Sequence, residues 1–320
     1  MAEITEYTLT SCDDRKTPIH CVKWAPSGVS PLAVLQLTHG MQEHIERYSE
    51  FAEYLAQHGI AVFGHDHIGH GDSVNSEDER GILHTTSPAK TLVEDMFTQY
   101  RHIKSLYPDI PYFILGHSMG SYLLRQFLSA KSSSLTGVNG ALIVGTGTEP
   151  DPAILAGTTL CRLIVLFKGR DYRSVFVKNH LFGRNYRQFD LTGTVPENSW
   201  LSKNVENVKA FLDPSNKKDC CEYSMNGYLI LLESTWYDNR MGNIRRMNLD
   251  IPILFASGDQ DPVGAMGKGV RKAYDKFRRA GVKDLTLKLY PGDRHEILNE
   301  LDRYTVYEDF YAWITSHCRT

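Results

Sequence analysis

Apolar positions along this chain fall into short continuous runs, separated by longer stretches in which they recur every three or four residues. "LAVLQLTHG" (32–40), "IAVFGHDH" (60–67), "YFILGHS" (112–118), "GALIVGTG" (140–147), "IPILFASGD" (251–259) and "LTLKLYPG" (285–292) are runs of strand length, each closed by glycine or a polar cluster. Between them, Ile45, Tyr48, Ala52 and Leu55 share a helical face that stops at Gly59, and Ser87 with Pro88 opens a helix carrying Leu92, Met96 and Ile103. Leu123, Leu124, Phe127 and Leu128 mark a buried helix after the third run. Met266, Val270, Tyr274 and Phe277 mark another, closed by Gly281, and Leu301, Tyr304, Phe310 and Trp313 a last one. Strands alternating with helices predict an α/β protein with a mostly parallel sheet covered on both faces.

One connection breaks the rhythm. Between Gly147 and Asp250 lie roughly 100 residues, where such connections take about 2–6. The stretch is apolar and aromatic in patches ("ILAGTTLCRLIVLF", "SWLSKNVENVKAFL", "NGYLILLESTWY") and reads as an inserted helical cap. The expected organisation is a core of residues 1–147 and 250–320, with a cap of residues 148–249.

Composition narrows the classes. The 320 residues are 42% hydrophobic and 23% charged with a net charge of -3, and no basic stripe suggests nucleic acid. The opening "MAEITEYTLT" lacks the basic and apolar regions of a secretory signal. Cys12, Cys21, Cys161, Cys220, Cys221 and Cys318 show no C-x-x-C spacing and read as free thiols in a reducing cytoplasm.

"GHSMG" (116–120) follows a strand and precedes a helix. A G-x-S-x-G pattern alone arises by chance in roughly one such chain in ten, so the strand–turn–helix setting carries the reading. On that turn Ser118 can present its hydroxyl above the sheet. The N–H of Met119 sits at a helix N-terminus, where it can meet a developing oxyanion. A serine needs a histidine to take its proton and a carboxylate to orient that histidine. His295 follows the last strand, while Asp259 and Asp261 both follow the strand before it. "LTHGM" places Met41 where a second backbone donor is expected.

"GHDHIGHGDS" (64–73) gathers His65, His67 and His70 between Asp66 and Asp72. A metal pair on one strand face is one reading of it. The other is a loop whose glycines turn tightly and whose polar side chains satisfy backbone. No cysteine or glutamate lies close by and the serine chemistry requires no metal, so the scaffold reading is preferred.

Taken together, "HGMQEHIERY", "DHIGHGDS", "GHSMGS", "WLS", "SGDQDPV" and "GDRHEILNE" resemble the α/β-hydrolase superfamily. Within it they resemble the monoacylglycerol lipase, lysophospholipase and serine-aminopeptidase-like group. The resemblance implies Ser118 as nucleophile, Asp261 as acid, His295 as base, and the Met41 and Met119 N–H groups as oxyanion hole. It implies no cofactor, and a cap over the site. Met41 stands where the family carries a small residue. The expected reaction is hydrolysis of a carboxylic ester, with a monoacyl lipid as substrate and at most peripheral membrane contact through the cap. Ile164, Leu166, Phe167, Leu229 and Trp236 are the expected apolar wall. A short-chain esterase, an acyl-thioesterase and an aminopeptidase are rival enzymes on the same fold. A catalytically silent protein binding a small ligand is the non-enzyme alternative.

Overall fold

The structure, a computed structural model, describes residues 2–177, 184–219 and 222–318. Eight strands form one sheet: β1 (Ala2–Thr10), β2 (Pro18–Pro26), β3 (Ala33–Thr38), β4 (Ile60–His65), β5 (Tyr112–His117), β6 (Val138–Val144), β7 (Ile253–Gly258) and β8 (Leu285–Tyr290), in the order β1-β2-β4-β3-β5-β6-β7-β8. The β1–β2 and β2–β4 pairs are antiparallel and the rest parallel. All six runs read from the sequence are strands. The first two strands escape that reading. β1 is exposed along most of its length, so its residues show no apolar face.

Helices α1 (Ser49–Gln57), α2 (Pro88–Leu106), α3 (Met119–Ala130), α8 (Lys268–Ala280) and α9 (Arg303–Ser316) follow strands β3, β4, β5, β7 and β8. Alternate residues of β5 divide between two cores, as strand geometry dictates. Tyr112 and Ile114 pack with Met96, Leu123 and Phe127, whereas Phe113 and Leu115 pack with Phe51, Leu55 and Phe310. Each fully buried aliphatic or aromatic side chain contributes about 1.5–3 kcal/mol. Leu301 and Tyr304 depart from the expected face of α9, being exposed before and at its first turn. Its buried residues are Val306, Tyr307, Phe310 and Ile314.

The long connection between β6 and β7 holds α4 (Asp151–Lys168), α5 (Val205–Leu212), α6 (Met225–Asp238) and the short α7 (Met241–Ile244). Leu201, Val208 and Phe211 make a small core of their own. Met225, Tyr228, Leu229 and Ile230 of α6 instead join the main core beside α3. Among the described residues Cys12, Cys21, Cys161 and Cys318 are free thiols, and no helix is long and apolar enough to cross a membrane. Cys220 and Cys221 lie outside the described residues.

Register decides where chemistry can gather. Thr38 pairs with Gly116, His117 with Val144, and Val144 with Ala256, so the C-terminal ends of β3, β5, β6 and β7 lie level. Ligands enter parallel sheets at this edge. Here Gly120 permits α3 to press against β3, since a Cβ on it would stand 2.2 Å from the Thr38 carbonyl oxygen and 2.6 Å from that of His39. Gly120→Ala is expected to lower stability by about 1–3 kcal/mol through overpacking. Gly242→Ala, where a Cβ meets nothing within 4 Å, should leave it unchanged or slightly raised. Thermal unfolding followed by circular dichroism checks the pair; equal effects would contradict the close contact.

Candidate active site

Ser118 is the single residue between the end of β5 and the start of α3. Its φ of 52° and ψ of −121° lie outside the usual regions for a side-chain-bearing residue, at a cost of about 1–3 kcal/mol. Neighbouring bonds hold it there. Its N–H donates to the Val144 carbonyl at 3.0 Å, and its own carbonyl accepts from the Ser121 N–H at 2.8 Å and hydroxyl at 2.6 Å. His117 and Met119 on either side are buried, while Ser118 is partly exposed and lines a cavity.

His295 lines the same cavity. Its Nδ1 lies 3.1 Å from both carboxylate oxygens of Asp261. Asp261 is fully buried, and its oxygens also accept from the Val263 N–H (2.8 Å) and the Ser257 hydroxyl (3.1 Å), so it cannot swing away without losing those bonds. Asp259 does something else. It accepts from the Gly292 N–H at 2.8 Å and so ties together the turns that follow β7 and β8. The sequence left two aspartates open, and the structure brings Asp261 to His295.

The loop after β3 comes up against the serine. A Cβ on Gly40 would lie 2.9 Å from Ser118 Cβ and 2.4 Å from Glu43 Oε1, so glycine is required there. Met41 lines the cavity, and Met119 begins α3.

The histidine-rich loop braces this loop from behind. His39 Nδ1 donates to the Gly40 carbonyl (2.7 Å) and its Nε2 accepts from the His67 N–H (2.9 Å), a pair of bonds that defines one neutral tautomer. His70 likewise donates from Nδ1 to the Ile68 carbonyl (3.1 Å) and contacts the Tyr223 hydroxyl through Nε2. Burial, and then the neighbouring imidazoles, push His39 and His67 well below the ordinary histidine range, and burial lowers His70 to about 4. Asp66 accepts from the Ile45 and Asp72 N–H groups (2.7 and 2.9 Å) and stands 3.0 Å from His20 Nδ1. His39, His70 and Asp66 thus hold loop backbone, whereas His67 contributes its backbone N–H and both of its ring nitrogens have no hydrogen-bond partner among the described residues. His20, Asp66 and Asp72 have metal-like spacing among the described residues. Their oxygens are nonetheless taken by donors, Lys218 reaching Asp72 at 2.6 Å.

The cavity holds about 750 Å³, within the usual range for one small ligand. Its wall corrects an expectation. Ile154, Leu160 and Cys161 of α4 and Tyr228, Leu231 and Leu232 of α6 line it, whereas Ile164, Leu166, Phe167, Leu229 and Trp236 do not. Leu166 and Phe167 are 75% and 78% exposed, and Trp236 lies under the Arg240 guanidinium at 3.7 Å. Leu229 is buried in the main core and Ile164 packs against it. The reason is geometric: α4 is apolar around most of its circumference, so periodicity could not choose its inward face.

Two groups of residues were missed. Trp200 lies over His295 with ring centroids 5.1 Å apart, and the Glu296 N–H donates to the Leu201 carbonyl at 2.8 Å, pinning the "WLS" segment to the histidine loop. Beneath the serine, Glu43, Arg47, His117 and Glu296 form a buried charged network that the "HGMQEHIERY" motif contained without revealing its partners.

Strand order, strained serine and carboxylate-held histidine define a hydrolase of the α/β-hydrolase class. Within that class the chain belongs to the serine aminopeptidase S33 family, whose profile matches residues 29–302. It is 28% identical over 306 residues to the monoglyceride lipase of Rattus norvegicus, covering 93% of this chain and 86% of that protein. It is 27% identical over 298 residues to the monoacylglycerol lipase of Mycolicibacterium smegmatis, covering 92% and 91%. A thermostable carboxyl esterase from Bacillus coagulans, solved in complex with glycerol, superposes with a TM-score of 0.88 at 25% identity over 99% of both chains.

Asp261→Asn is expected to lower kcat by about three to four orders of magnitude, because an amide favours the wrong histidine tautomer. Asp259→Asn should change it by less than about tenfold. The reverse ranking in kcat/KM would hand the orienting role to Asp259.

Proposed function

We propose that this protein hydrolyses the ester of a monoacyl lipid, with a monoacylglycerol as the favoured substrate, through an acyl-serine intermediate. The observation that carries this reading is that Ser118 and the Asp261-bound His295 open into one cavity whose wall is mostly apolar. In the reaction Ser118 Oγ attacks the ester carbonyl carbon while His295 Nε2 takes the hydroxyl proton, and Asp261 holds the imidazole and offsets its new charge. The Met41 and Met119 N–H groups bind the tetrahedral oxyanion. Collapse expels the glycerol oxygen, which leaves with the proton from His295. Water, deprotonated by the same histidine, then attacks the acyl-serine carbonyl; the acyl–Oγ bond breaks, Ser118 Oγ takes the proton back from His295, and the fatty acid is released.

Residues 148–249 act as a cap on the core of residues 1–147 and 250–320. The outer side of α4 adds to the lipid reading. Leu163, Leu166 and Phe167 are exposed there beside Lys168 and Arg170, a composition suited to lying on an anionic lipid surface. Leu160, Phe176 and Leu191 are both exposed and part of the cavity wall, so an acyl chain leaving that surface has an apolar route to Ser118. The free thiols fit a reducing, cytoplasmic compartment. A volume of about 750 Å³ accommodates one chain more readily than two.

The test is kcat/KM against acyl length at fixed glycerol head group, below the micelle threshold, with diacylglycerol, lysophospholipid and aminoacyl amide alongside. Each methylene held by the wall is worth about 0.8 kcal/mol, so the constant should climb by orders of magnitude from acetyl to medium chains. Monoacyl esters should exceed diacyl ones. A flat or falling profile from two carbons would make this a short-ester esterase, and faster amide cleavage an aminopeptidase.

A further inference from the structure

The charged network under Ser118 has a feature that the acyl-transfer steps leave unused. Glu43 Oε1 accepts from the Gly40 N–H at 2.5 Å and from the Tyr48 hydroxyl at 2.8 Å, and stands 3.2 Å from His117 Nδ1. The Tyr48 oxygen lies 2.8 Å from His117 Nδ1, and its one proton serves either Glu43 or that nitrogen, whereas Glu43 Oε1 beside the same nitrogen can only accept. The other ring nitrogen, Nε2, faces the backbone carbonyl of His295 at 3.3 Å. A carbonyl can only accept. Both nitrogens of His117 therefore face an acceptor-only oxygen, so a neutral imidazole with its single N–H turns a lone pair toward either the Glu43 carboxylate or the His295 carbonyl.

We propose that His117 is held as a buried imidazolium paired with Glu43, and that this ion pair positions the oxyanion loop and the His295 loop together while cancelling the Glu43 charge where the oxyanion develops. The proposal rests on the acyl-serine reading of Ser118. Glu43 reaches the oxyanion loop through Gly40, and His117 reaches the base loop through the His295 carbonyl, with the two imidazole rings 4.8 Å apart. Arg47 closes the network. Its guanidinium lies 3.5 Å from Glu43, 2.7 Å from Glu296 and 3.2 Å from Asp219. Burial lowers the His117 basicity, yet Glu43, with Glu296 and the His295 carbonyl, more than offsets this and raises it; against burial, His117, Arg47 and the Tyr48 hydroxyl together hold Glu43 low. With Arg47 at 3.5 Å as its only other counter-charge among the described residues, a Glu43 carboxylate lacking His117 would oppose negative charge forming beside the Gly40 loop. Paired with an imidazolium, it fixes the loop without that penalty.

Glu43 and His117 are positioning residues by this account, and charge distinguishes positioning from bulk packing. In the full chain His117→Gln is expected to lower kcat about 100-fold with KM changed less than about threefold, comparable to loss of an oxyanion donor. Adding Glu43→Gln, which removes the uncompensated charge but keeps an oxygen for the Gly40 N–H, should restore at least about tenfold of that loss. A double variant as slow as or slower than His117→Gln, or a His117→Gln enzyme within about threefold of the parent, would overturn the proposal. Should the variants fail to fold, the nitrogen-15 NMR spectrum of the parent protein labelled in its histidine rings decides. Two protonated ring nitrogens on His117 at pH 7.5 are expected, and a neutral tautomer would overturn the proposal. Neither readout depends on which serine reacts, so an active Ser118→Ala enzyme would defeat the acyl-serine reading separately.

Discussion

The close approach of α3 to the end of β3 is the contact on which the site depends. Gly120 lies against the Thr38 and His39 carbonyls, and Gly116 lies against the Gly120 carbonyl, so the turn between them has no room to relax. Ser118 takes up the resulting strain in its backbone and is pushed above the sheet edge. The same contact brings Gly40 against the serine and so sets the distance between nucleophile and oxyanion loop. A single side-chain carbon in this stack would separate the two. Small residues at Gly40, Gly116 and Gly120 are thus consequences of packing as much as of chemistry.

Around that contact, polar groups hold the loops in register with one another. Asp261 is fixed by two donors before it meets His295, and Arg294 holds the 197–202 segment through the Ser199 carbonyl at 2.5 Å. Lys203 reaches Asp293 at 2.7 Å, joining the same segment to the turn before His295. Partly buried polar contacts of this kind add little net stability, since desolvation and screening offset much of their attraction. Their value lies in placement: loops from distant parts of the chain converge on one cavity and are held there by these bonds.

The parallel half of the sheet was legible because β3 to β7 are buried on both faces and read as continuous apolar runs. The elbow was legible because "GHSMG" joins such a run to a helix. β1 was not, since an outer antiparallel strand facing solvent carries no such pattern. Asp259 and Asp261 are two residues apart on one loop, and only the position of His295 separates them. The cavity wall failed for a different reason. Leu229 and Leu231 on α6, or Leu160 and Leu166 on α4, are chemically alike, and which one faces the cavity is set by the packing of α6 on α3 and α4, a long-range fact. Nor does a sequence show that Glu43 and His117, 74 positions apart, share an acceptor network.

The central claim is that one strained serine at the end of β5 carries the acyl group. It is tested most directly by treating the full chain with a fluorophosphonate and mapping the adduct by mass spectrometry. The account predicts a single modified residue, Ser118, and no stoichiometric adduct on Ser118→Ala under the same conditions. An adduct on another serine, or a Ser118→Ala protein that labels as fast as the parent, would contradict it.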